Sequence, residues 1–431
     1  MLVFISDVHF VDGSAGEHNI PVEAFHIFFE DISWEAKGII EKGRKIDEIK
    51  IVFLGDLFDL LRTEKWFAFP EDERPWGTDE KKIEAHANVI FNAITRKNRD
   101  VFSLLGGALK TKFGLPLEPE RIYIPGNHDR LCNRYEGLRK KVRKKLGIPF
   151  SERPFAHVYS DVDYGVLARH GHEYDKFNYE GGPSYDHEDY MRVPIGDAVT
   201  TELVARLPWR IMKRAAIKKL PKEQRNRLRR NLQEIENVRP FSAILEWLLY
   251  QVKTNPTIKE SIEDSVDDII SEFNRLNFVK RWYSHHDKWH DFMDEADKIQ
   301  AVLYLLEKFK IFPSERWMPY LERVKRQFEK DDLLKAAEEE YTGLDDRIRY
   351  VVYGHTHMPV QVPIKVIETP DGPKQHVYLN TGTWRTLYRR CRQGLGFIGW
   401  KNLTYTVFYR REERGSDVPA FETWTGTLKT V

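Results

Sequence analysis

The sequence predicts a layered α/β protein, and two patterns along the chain lead to this prediction. Short apolar runs of four to six residues end in polar signatures, and stretches with a helical pattern, such as 22–42 and 81–113, lie between them. Such runs are typical of buried central strands, and their alternation with helices favours layered architecture. The predicted strands are 2–5, 49–54, 121–124, 164–168 and 348–353.

Each of these strands leads into a polar signature near its carboxyl end. Glycine accompanies four of the signatures, and a tight turn there would let the backbone approach a bound ion. Ligands of open α/β sheets gather at the carboxyl ends of strands. The glycines are Gly55, Gly126, Gly171 and Gly354.

The character of the chain changes between about Asp197 and Asp346, where helical patterns predominate. The predicted helices are 199–206, 209–219, 223–237, 241–252, 258–276, 291–309 and 316–341, with breaks expected at Pro208, Pro221, Pro240, Pro256 and Pro313. Because a polar signature with two histidines follows at 354–357, this block is predicted to be an insertion. The predicted domains are therefore a core of 1–196 and 347–431 and an all-helical insertion of 197–346.

Alternating segments after Pro359 predict further strands at 361–368, 376–380 and 405–410. A turn at Pro370-Asp371-Gly372-Pro373 is predicted to separate the first two.

The composition describes a globular chain without a strong charge bias. The 431 residues are 41% hydrophobic and 31% charged, with a formal net charge of +1, so a nucleic-acid or lipid partner would have to be recognised locally. The apolar run 2–5 is too short for a secretory signal and leads straight into the first signature. A cytoplasmic location is therefore expected. Cys132 and Cys391 are interpreted as buried or incidental thiols.

The side chains in the signatures are those of a site for hard or borderline divalent metals. Carboxylates, imidazoles and a carboxamide are present and thiols are missing, a set that suits manganese, iron or zinc. Asp56 has the position to bridge two ions, and Asn127 offers a neutral oxygen. The signatures are Asp7-Val8-His9, Gly55-Asp56-Leu57-Phe58-Asp59, Gly126-Asn127-His128-Asp129, His170-Gly171 and Gly354-His355-Thr356-His357.

The order and spacing of these signatures resemble those of the calcineurin-like metallophosphoesterases, from Asp7 to His357. The resemblance implies a four-layer αββα sandwich and two divalent ions, with manganese favoured over iron, zinc or nickel. One ion would be held by Asp7, His9, Asp56 and His357, and the other by Asp56, Asn127, His170 and His355.

The resemblance also implies roles for residues beside the ligands. His128 would face the phosphate, with Asp129 orienting its imidazole, and Asp59 would support a metal ligand. His172 is an alternative ligand to His170, which is preferred because it directly follows the predicted strand.

The implied activity is hydrolysis of a phosphodiester or pyrophosphate bond by a metal-activated hydroxide. Segments 170–174, 207–214 and 379–384 are similar to the UDP-2,3-diacylglucosamine pyrophosphatase branch. That branch carries arginine where His128 stands, and its insertion is far shorter. A small or lipid-like phosphoester is the expected substrate, because a large insertion and aromatic loops suit an enclosed ligand.

A basic segment leaves a second function open. From Arg206 to Arg230 the chain has eleven lysines and arginines and one acid, Glu223. This segment could track nucleic acid, as in a metal-dependent nuclease, or lie on anionic lipid. Alternatively, it pairs with the acidic stretch 261–272. A non-catalytic binding protein on the same fold is the remaining alternative.

Aromatic residues cluster in two places. Trp66, Phe67, Phe69 and Trp76 follow Asp59 and are candidates for a pocket wall. Trp282, Tyr283, Trp289 and Phe292, interleaved with His285, His286 and His290, are predicted to pack between helices of the insertion.

Overall fold

The chain is a mixed α/β protein built on two mixed β-sheets, which confirms the predicted class. The computed structural model describes residues 1–17, 19–182, 184–239, 243–252, 256–286, 332–368, 372–393, 396–415 and 420–430. The predicted helix 291–309, the first part of the predicted helix 316–341, and Trp289, His290, Phe292, Pro313, Pro370 and Asp371 lie outside these residues. None of the described helices has the length and apolar character needed to cross a membrane.

Twelve strands form the sheets of the described chain. They are β1 Leu2–Ile5, β2 Lys50–Leu54, β3 Glu120–Ile124, β4 Val158–Asp161, β5 Val166–Arg169, β6 Val238–Arg239, β7 Tyr350–Tyr353, β8 Pro359–Ile367, β9 Lys374–Thr381, β10 Thr386–Arg390, β11 Phe397–Phe408 and β12 Phe421–Thr430. The five strands predicted before the signatures are all present. The sequence reading missed β4, β6, β10 and β12.

The first sheet has the order β3-β2-β1-β11-β10-β6, with β12 paired to β11. Strands β1, β2 and β3 are parallel, and β11 runs antiparallel to β1. The second sheet has the order β4-β5-β7-β9-β8, with β5, β7 and β9 parallel. In both sheets the parallel strands bring their carboxyl ends to one edge.

The two sheets pack face to face. The Phe4 ring of β1 lies 6.0 Å from Tyr159 of β4, and Tyr350 of β7 lies 5.2 Å from Phe408 of β11. Apolar side chains of both sheets, including Val52 of β2, share one buried cluster. Its burial stabilises the sandwich at roughly 25 cal/mol per Å² of apolar surface.

Helices cover the outer faces of the sandwich. Described α-helices are α1 Val22–Glu41, α2 Glu80–Lys97, α3 Arg99–Leu105, α4 Leu109–Phe113, α5 Arg130–Arg134, α6 Glu136–Leu146, α7 His187–Tyr190, α8 Ile195–Ala198, α9 Arg206–Lys213, α10 Ala215–Lys218, α11 Lys222–Gln233, α12 Ile244–Val252, α13 Pro256–Arg275, α14 Asn277–His286, α15 Asp332–Glu340 and α16 Arg411–Arg414. Helices α1 to α4 and α6 pack with the first sheet, and α15 packs with the second. The four-layer αββα arrangement and membership of the calcineurin-like group stay predictions.

Helices α8 to α14 share a separate apolar core, which includes Ile211, Leu232 and Ile262. Two prolines expected to break helices lie inside them. Pro256 is the first residue of α13, where the proline nitrogen needs no hydrogen-bond partner. Pro208 is the third residue of α9, which continues directly from the helical residues before it. Residues Val199–Ala205 form a π-helix, and short 3₁₀ turns occur at Glu64–Ala68, Glu71–Glu73, His172–Tyr174 and Ile235–Asn237.

Several segments within 197–346 contact the two sheets directly. Strand β6 pairs in parallel with β10 in the first sheet, and α15 buries Leu333 and Ala337 against the second. The division of the chain at 197 and 346 stays a prediction.

Candidate metal centre

The strand ends bring the predicted ligands of all five signatures to one place. Asp7 and His9 follow β1, and Asp56 follows β2. The remaining ligands, Asn127, His170, His355 and His357, follow β3, β5 and β7. The site therefore lies where the carboxyl ends of the parallel strands of both sheets meet.

The backbone at this place is held in an unusual conformation. Among the described residues, the non-glycine residues with positive φ are Asp7 (52°), His9 (50°), Asp56 (51°), His355 (70°) and His357 (63°), and all are predicted ligands. A left-handed backbone costs about 1–3 kcal/mol at such a residue and persists where the surroundings enforce it. Such strain clusters at functional sites.

Two glycines make room for the ligands. A Cβ on Gly55 would collide with the imidazole of His170, and one on Gly126 would collide with the carboxylate of Asp56. These turns thus need glycine because a ligand side chain passes against the backbone.

The first ligand group consists of Asp7, His9 and His357 with Asp56 beside them. The Nε2 atoms of His9 and His357 are 3.1 Å apart, and Oδ1 of Asp7 lies 3.4 Å from the latter. Oδ2 of Asp56 lies 3.6 Å from Nε2 of His9. These donor atoms converge as the ligands of one cation would.

The second group shares Asp56 with the first. Oδ2 of Asp56 lies 3.2 Å from Nε2 of His170, and His355 completes a set whose donor atoms lie within 4.8 Å of one another. Asn127 lies alongside, with its amide nitrogen bonded to Asn178 at 3.1 Å. The structure thus brings His170, rather than His172, onto Asp56.

Three buried ligand atoms have no hydrogen-bond partner in the described part of the chain: Oδ1 of Asp7, Oδ1 of Asn127 and Nε2 of His170. A buried polar atom without a partner costs about 1–3 kcal/mol. The two oxygens carry lone pairs, and Nε2 of His170 offers one once it has lost its proton, so the residues present fit divalent cations. The buried clusters could hold metal ions, which confirms the coarser prediction of a metal-binding site.

Three of the histidines are fixed from their far side, as metal ligands commonly are. Nδ1 of His9 lies 3.3 Å from Asp59, Nδ1 of His170 lies 2.9 Å from the carbonyl of Leu54, and Nε2 of His355 lies 2.9 Å from Asp175. In the neutral tautomer that donates to these acceptors, the other ring nitrogen keeps its lone pair. His357 differs, because its Nδ1 accepts from Arg239 at 2.9 Å.

The electrostatics of the site couple carboxylates to imidazoles. Burial lowers the pKa of His170, but Asp56 and Asp7 outweigh it and raise that pKa to about 10. Burial also acts to raise the pKa of Asp56, yet His170 and His128 hold it well below its usual range. The Asp56 carboxylate is therefore ionised, as a bridging ligand must be.

His128 lies beside the ligands and is tied to two of the carboxylates. Its backbone amide donates to Asp56 at 2.9 Å, and its Nδ1 lies 3.0 Å from Oδ1 of Asp59. Burial lowers its pKa, but Asp59 and Asp56 together raise it to about 10. The ring can thus carry a proton on Nε2, the nitrogen turned away from Asp59.

The expected role of Asp129 is corrected by the structure. Its carboxylate accepts from the backbone amides of Gly126, Leu57 and Phe58, so it ties the loops after β2 and β3 together. Asp59 holds the His128 ring instead. Burial and Asp56 raise the pKa of Asp129 to about 6.

Sequence reasoning missed several neighbours of the site. Asp175 holds His355 and also accepts from Asn178, which in turn contacts Asn127. Glu236 and Arg239 reach the site from the predicted insertion. Asp175 follows closely on the His170 signature and could have been suspected, whereas no sequence signal points to Glu236 or Arg239.

Two of the four aromatic residues after Asp59 pack inward, whereas Phe67 and Phe69 are half-buried against the core. Trp66 is fully buried and donates to the carbonyl of Leu60 at 2.8 Å, and Trp76 joins the core of the insertion helices. Trp282 is buried in the same core and stacks on His286 at 4.1 Å, as expected for packing between helices.

The basic segment divides into two parts. Arg210 pairs with Glu272, and Arg214 pairs with Asp268 at 2.8 Å, so its first part meets the acidic face of α13. In its second part, Lys222, Arg227 and Arg230 of α11 are exposed.

No protein-family model matches this chain, and no curated protein matches it either.

Proposed function

We propose that the chain is a metal-dependent phosphoesterase that hydrolyses a phosphodiester or pyrophosphate bond at a centre of two divalent ions. The observation that carries the proposal is the convergence of two ligand groups that share Asp56. A pair of such ions would lower the pKa of a bound water and neutralise charge on phosphoryl oxygens. Manganese is the favoured metal, with iron, zinc or nickel as alternatives.

Seven side chains of the site would bind the two ions. Asp7, His9, Asp56 and His357 would hold one ion, while Asp56, Asn127, His170 and His355 would hold the other. Neutral imidazoles and a carboxamide keep the ligand set from cancelling the whole positive charge, so an anionic phosphoester is still attracted.

His128 contributes a proton. Asp59 fixes its Nδ1, so Nε2 is the atom that would reach the leaving oxygen, and the Asp59 carboxylate raises the pKa of the ring and so favours its protonated form. Transfer of that proton to the departing oxygen would contribute about 10²–10⁴ in rate for a poor leaving group.

The test compares wild type with Asp56→Asn in metal content and in hydrolysis of bis-p-nitrophenyl phosphate. We expect the variant to lose metal and at least about 10²-fold in kcat/KM, because a bridging carboxylate serves both ions. Asp100→Asn, at an exposed position on α3, is the matched control. Unchanged metal content and turnover in Asp56→Asn would refute the proposal.

A nuclease is the second candidate, and the exposed basic residues of α11 are the observation that favours it. Binding of single-stranded DNA that weakens steeply with salt, together with cleavage, would support it. Lys222→Ala with Arg227→Ala should then reduce the slope of log affinity against log salt by about 0.7 per charge removed. Salt-independent binding excludes this candidate.

A further inference from the structure

The insertion delivers a charged segment to the metal cluster. Strand β6 pairs with Tyr388 and Arg389 of β10, and this pairing anchors residues 236–239 beside the ligands. Oε1 of Glu236 lies 4.0 Å from Nε2 of His128, and Nη2 of Arg239 lies 2.9 Å from Nδ1 of His357. Residues from outside the five signatures therefore border the site.

Three guanidinium groups lie around Glu236, and they differ in their partners. Arg62 and Arg385 both pair with Oε2 of Glu236, at 2.6 and 3.1 Å, and both are almost completely buried. Among the described residues no carboxylate lies within salt-bridge distance of Arg239, whose bonds go to the carbonyls of Glu236 and Val238 and to His357. Two of the three guanidinium groups around Glu236 thus pair with its carboxylate, whereas the bonds of Arg239 go to neutral acceptors.

Two further observations single out Arg239 as the group that meets a ligand. It keeps some exposed surface, whereas Arg62 and Arg385 do not. Its contact to Nδ1 of His357 is also replaceable. A guanidinium group only donates hydrogen bonds. An imidazole that binds a cation through Nε2 carries hydrogen on Nδ1, so both atoms would then be donors. With a cation present, the Nη2 donor of Arg239 would need another acceptor.

We infer that Arg239 binds an anionic oxygen of the ligand at the edge of the metal cluster, so that the insertion supplies one side of a phosphate subsite. This inference rests on the proposed function in taking the anion to be a phosphate. Guanidinium matches the geometry of phosphate oxygens and forms charge-assisted hydrogen bonds to them. Glu236, held by Arg62 and Arg385, positions the backbone that carries Arg239.

The test uses inorganic phosphate as the probe. Phosphate binding to manganese-loaded protein is measured by calorimetry for wild type, Arg239→Gln and Arg239→Lys. We expect the glutamine variant to bind phosphate about 10-fold more weakly, which corresponds to the loss of one charge-assisted hydrogen bond. The lysine variant should recover part of the affinity, and Arg275→Gln, at an exposed arginine of α13, should match wild type.

Metal content and steady-state kinetics distinguish two roles for Arg239: binding the anion, or holding His357 in place as a metal ligand. If Arg239 binds the anion, Arg239→Gln keeps its manganese and raises KM for bis-p-nitrophenyl phosphate with little change in kcat. Loss of manganese in the variant, or phosphate affinity equal to wild type, overturns the inference. Wild type that binds phosphate through Arg239 but hydrolyses no phosphoester would refute the proposed function alone.

Discussion

Asp59 is the carboxylate on which two histidines of the site depend. One oxygen lies 3.3 Å from Nδ1 of His9 and the other lies 3.0 Å from Nδ1 of His128. Asp59→Asn keeps the size of the side chain but offers only one acceptor oxygen. We expect metal affinity to fall about 10–100-fold, as for the loss of an outer partner of a metal-binding histidine. Titration of manganese into metal-free protein measures this loss.

The control for Asp59 is Asp163→Asn, whose carboxylate is largely exposed. Because Asp59 serves both rings, its variant should lower kcat beyond the loss in metal affinity, even at saturating manganese. Full recovery of turnover on adding manganese would show that the contact to His128 has no part in catalysis.

His157 should make the folded state less stable in acid. Burial lowers its pKa to about 3, and the charge of neighbouring His172 acts in the same direction. In the unfolded chain the pKa is about 6.5. Between these values only the unfolded chain binds the proton, so this stability is present above about pH 6.5 and is lost at ~1.4 kcal/mol per pH unit as pH falls toward 3.

Thermal unfolding between pH 4 and 7 checks this effect. His157→Gln keeps an acceptor for Asn133, which lies 3.2 Å from Nε2, but cannot gain a charge. Its melting temperature should therefore fall less than that of wild type on acidification, while exposed His285→Gln should follow wild type. Parallel curves for wild type and His157→Gln would contradict this origin of acid sensitivity.

At the scale of elements, Gly126 in the turn after β3 leaves space for the carboxylate of Asp56 because it has no side chain. Gly126→Ala would place a methyl group against the Asp56 carboxylate. We expect a loss of about 1–3 kcal/mol in the free energy of unfolding, as for overpacking of a close-fitting site, together with weaker metal binding. Urea unfolding and metal content measure the two effects.

The matched control is Gly38→Ala in α1, where an added Cβ meets nothing within 4 Å. That change should stabilise the helix by up to about 1 kcal/mol. Equal effects of both substitutions would mean that the turn tolerates a side chain.

Strands that are completely buried could be predicted from the sequence more easily than strands that are partly exposed. Strands β1 and β7 are buried along their whole length, so their continuous apolar runs stood out. Strand β12 begins with Phe421-Glu422-Thr423-Trp424 and is half exposed, and its pairing with β11 sets its conformation. Such a strand leaves a weak local signal, because its stability comes from a partner distant in sequence.

In the site, too, the features that local sequence patterns encode could be predicted, whereas contacts between residues distant in the sequence could not. The order of Asp7, Asp56 and His170 along the chain sufficed to predict that they converge, since parallel strands share an edge. The order of residues did not show whether Asp59 or Asp129 contacts His128. The loop after β3 turns the carboxylate of Asp129 back onto the backbone amide of Gly126. Arg239 reaches His357 across 118 positions, which no local pattern encodes.

At the scale of the whole molecule, α15 joins the second sheet although it lies within the predicted insertion. Leu333 is 5% exposed and packs with Val351 and Tyr353 of β7, the strand that leads to His355. Leu333→Ala should lower the free energy of unfolding by about 2–5 kcal/mol. Exposed Lys335→Ala on the same helix is the control. A change below about 0.5 kcal/mol for Leu333→Ala, typical of surface positions, would place α15 outside the core.

Metal binding should stabilise the entire sandwich, because the ligands come from strands of both sheets. The folded chain holds converging carboxylates and imidazoles on left-handed backbone, an arrangement that is costly until a cation compensates it. A ligand at 100 times its Kd adds about 2.7 kcal/mol to the free energy of unfolding. Manganese should therefore raise the melting temperature of chelator-treated wild type by several degrees, and this rise should shrink in Asp56→Asn, which weakens both ligand groups. An equal rise in Asp56→Asn would mean that manganese acts elsewhere on the protein, and no rise in wild type would mean that the cluster binds the metal too weakly to couple the sheets.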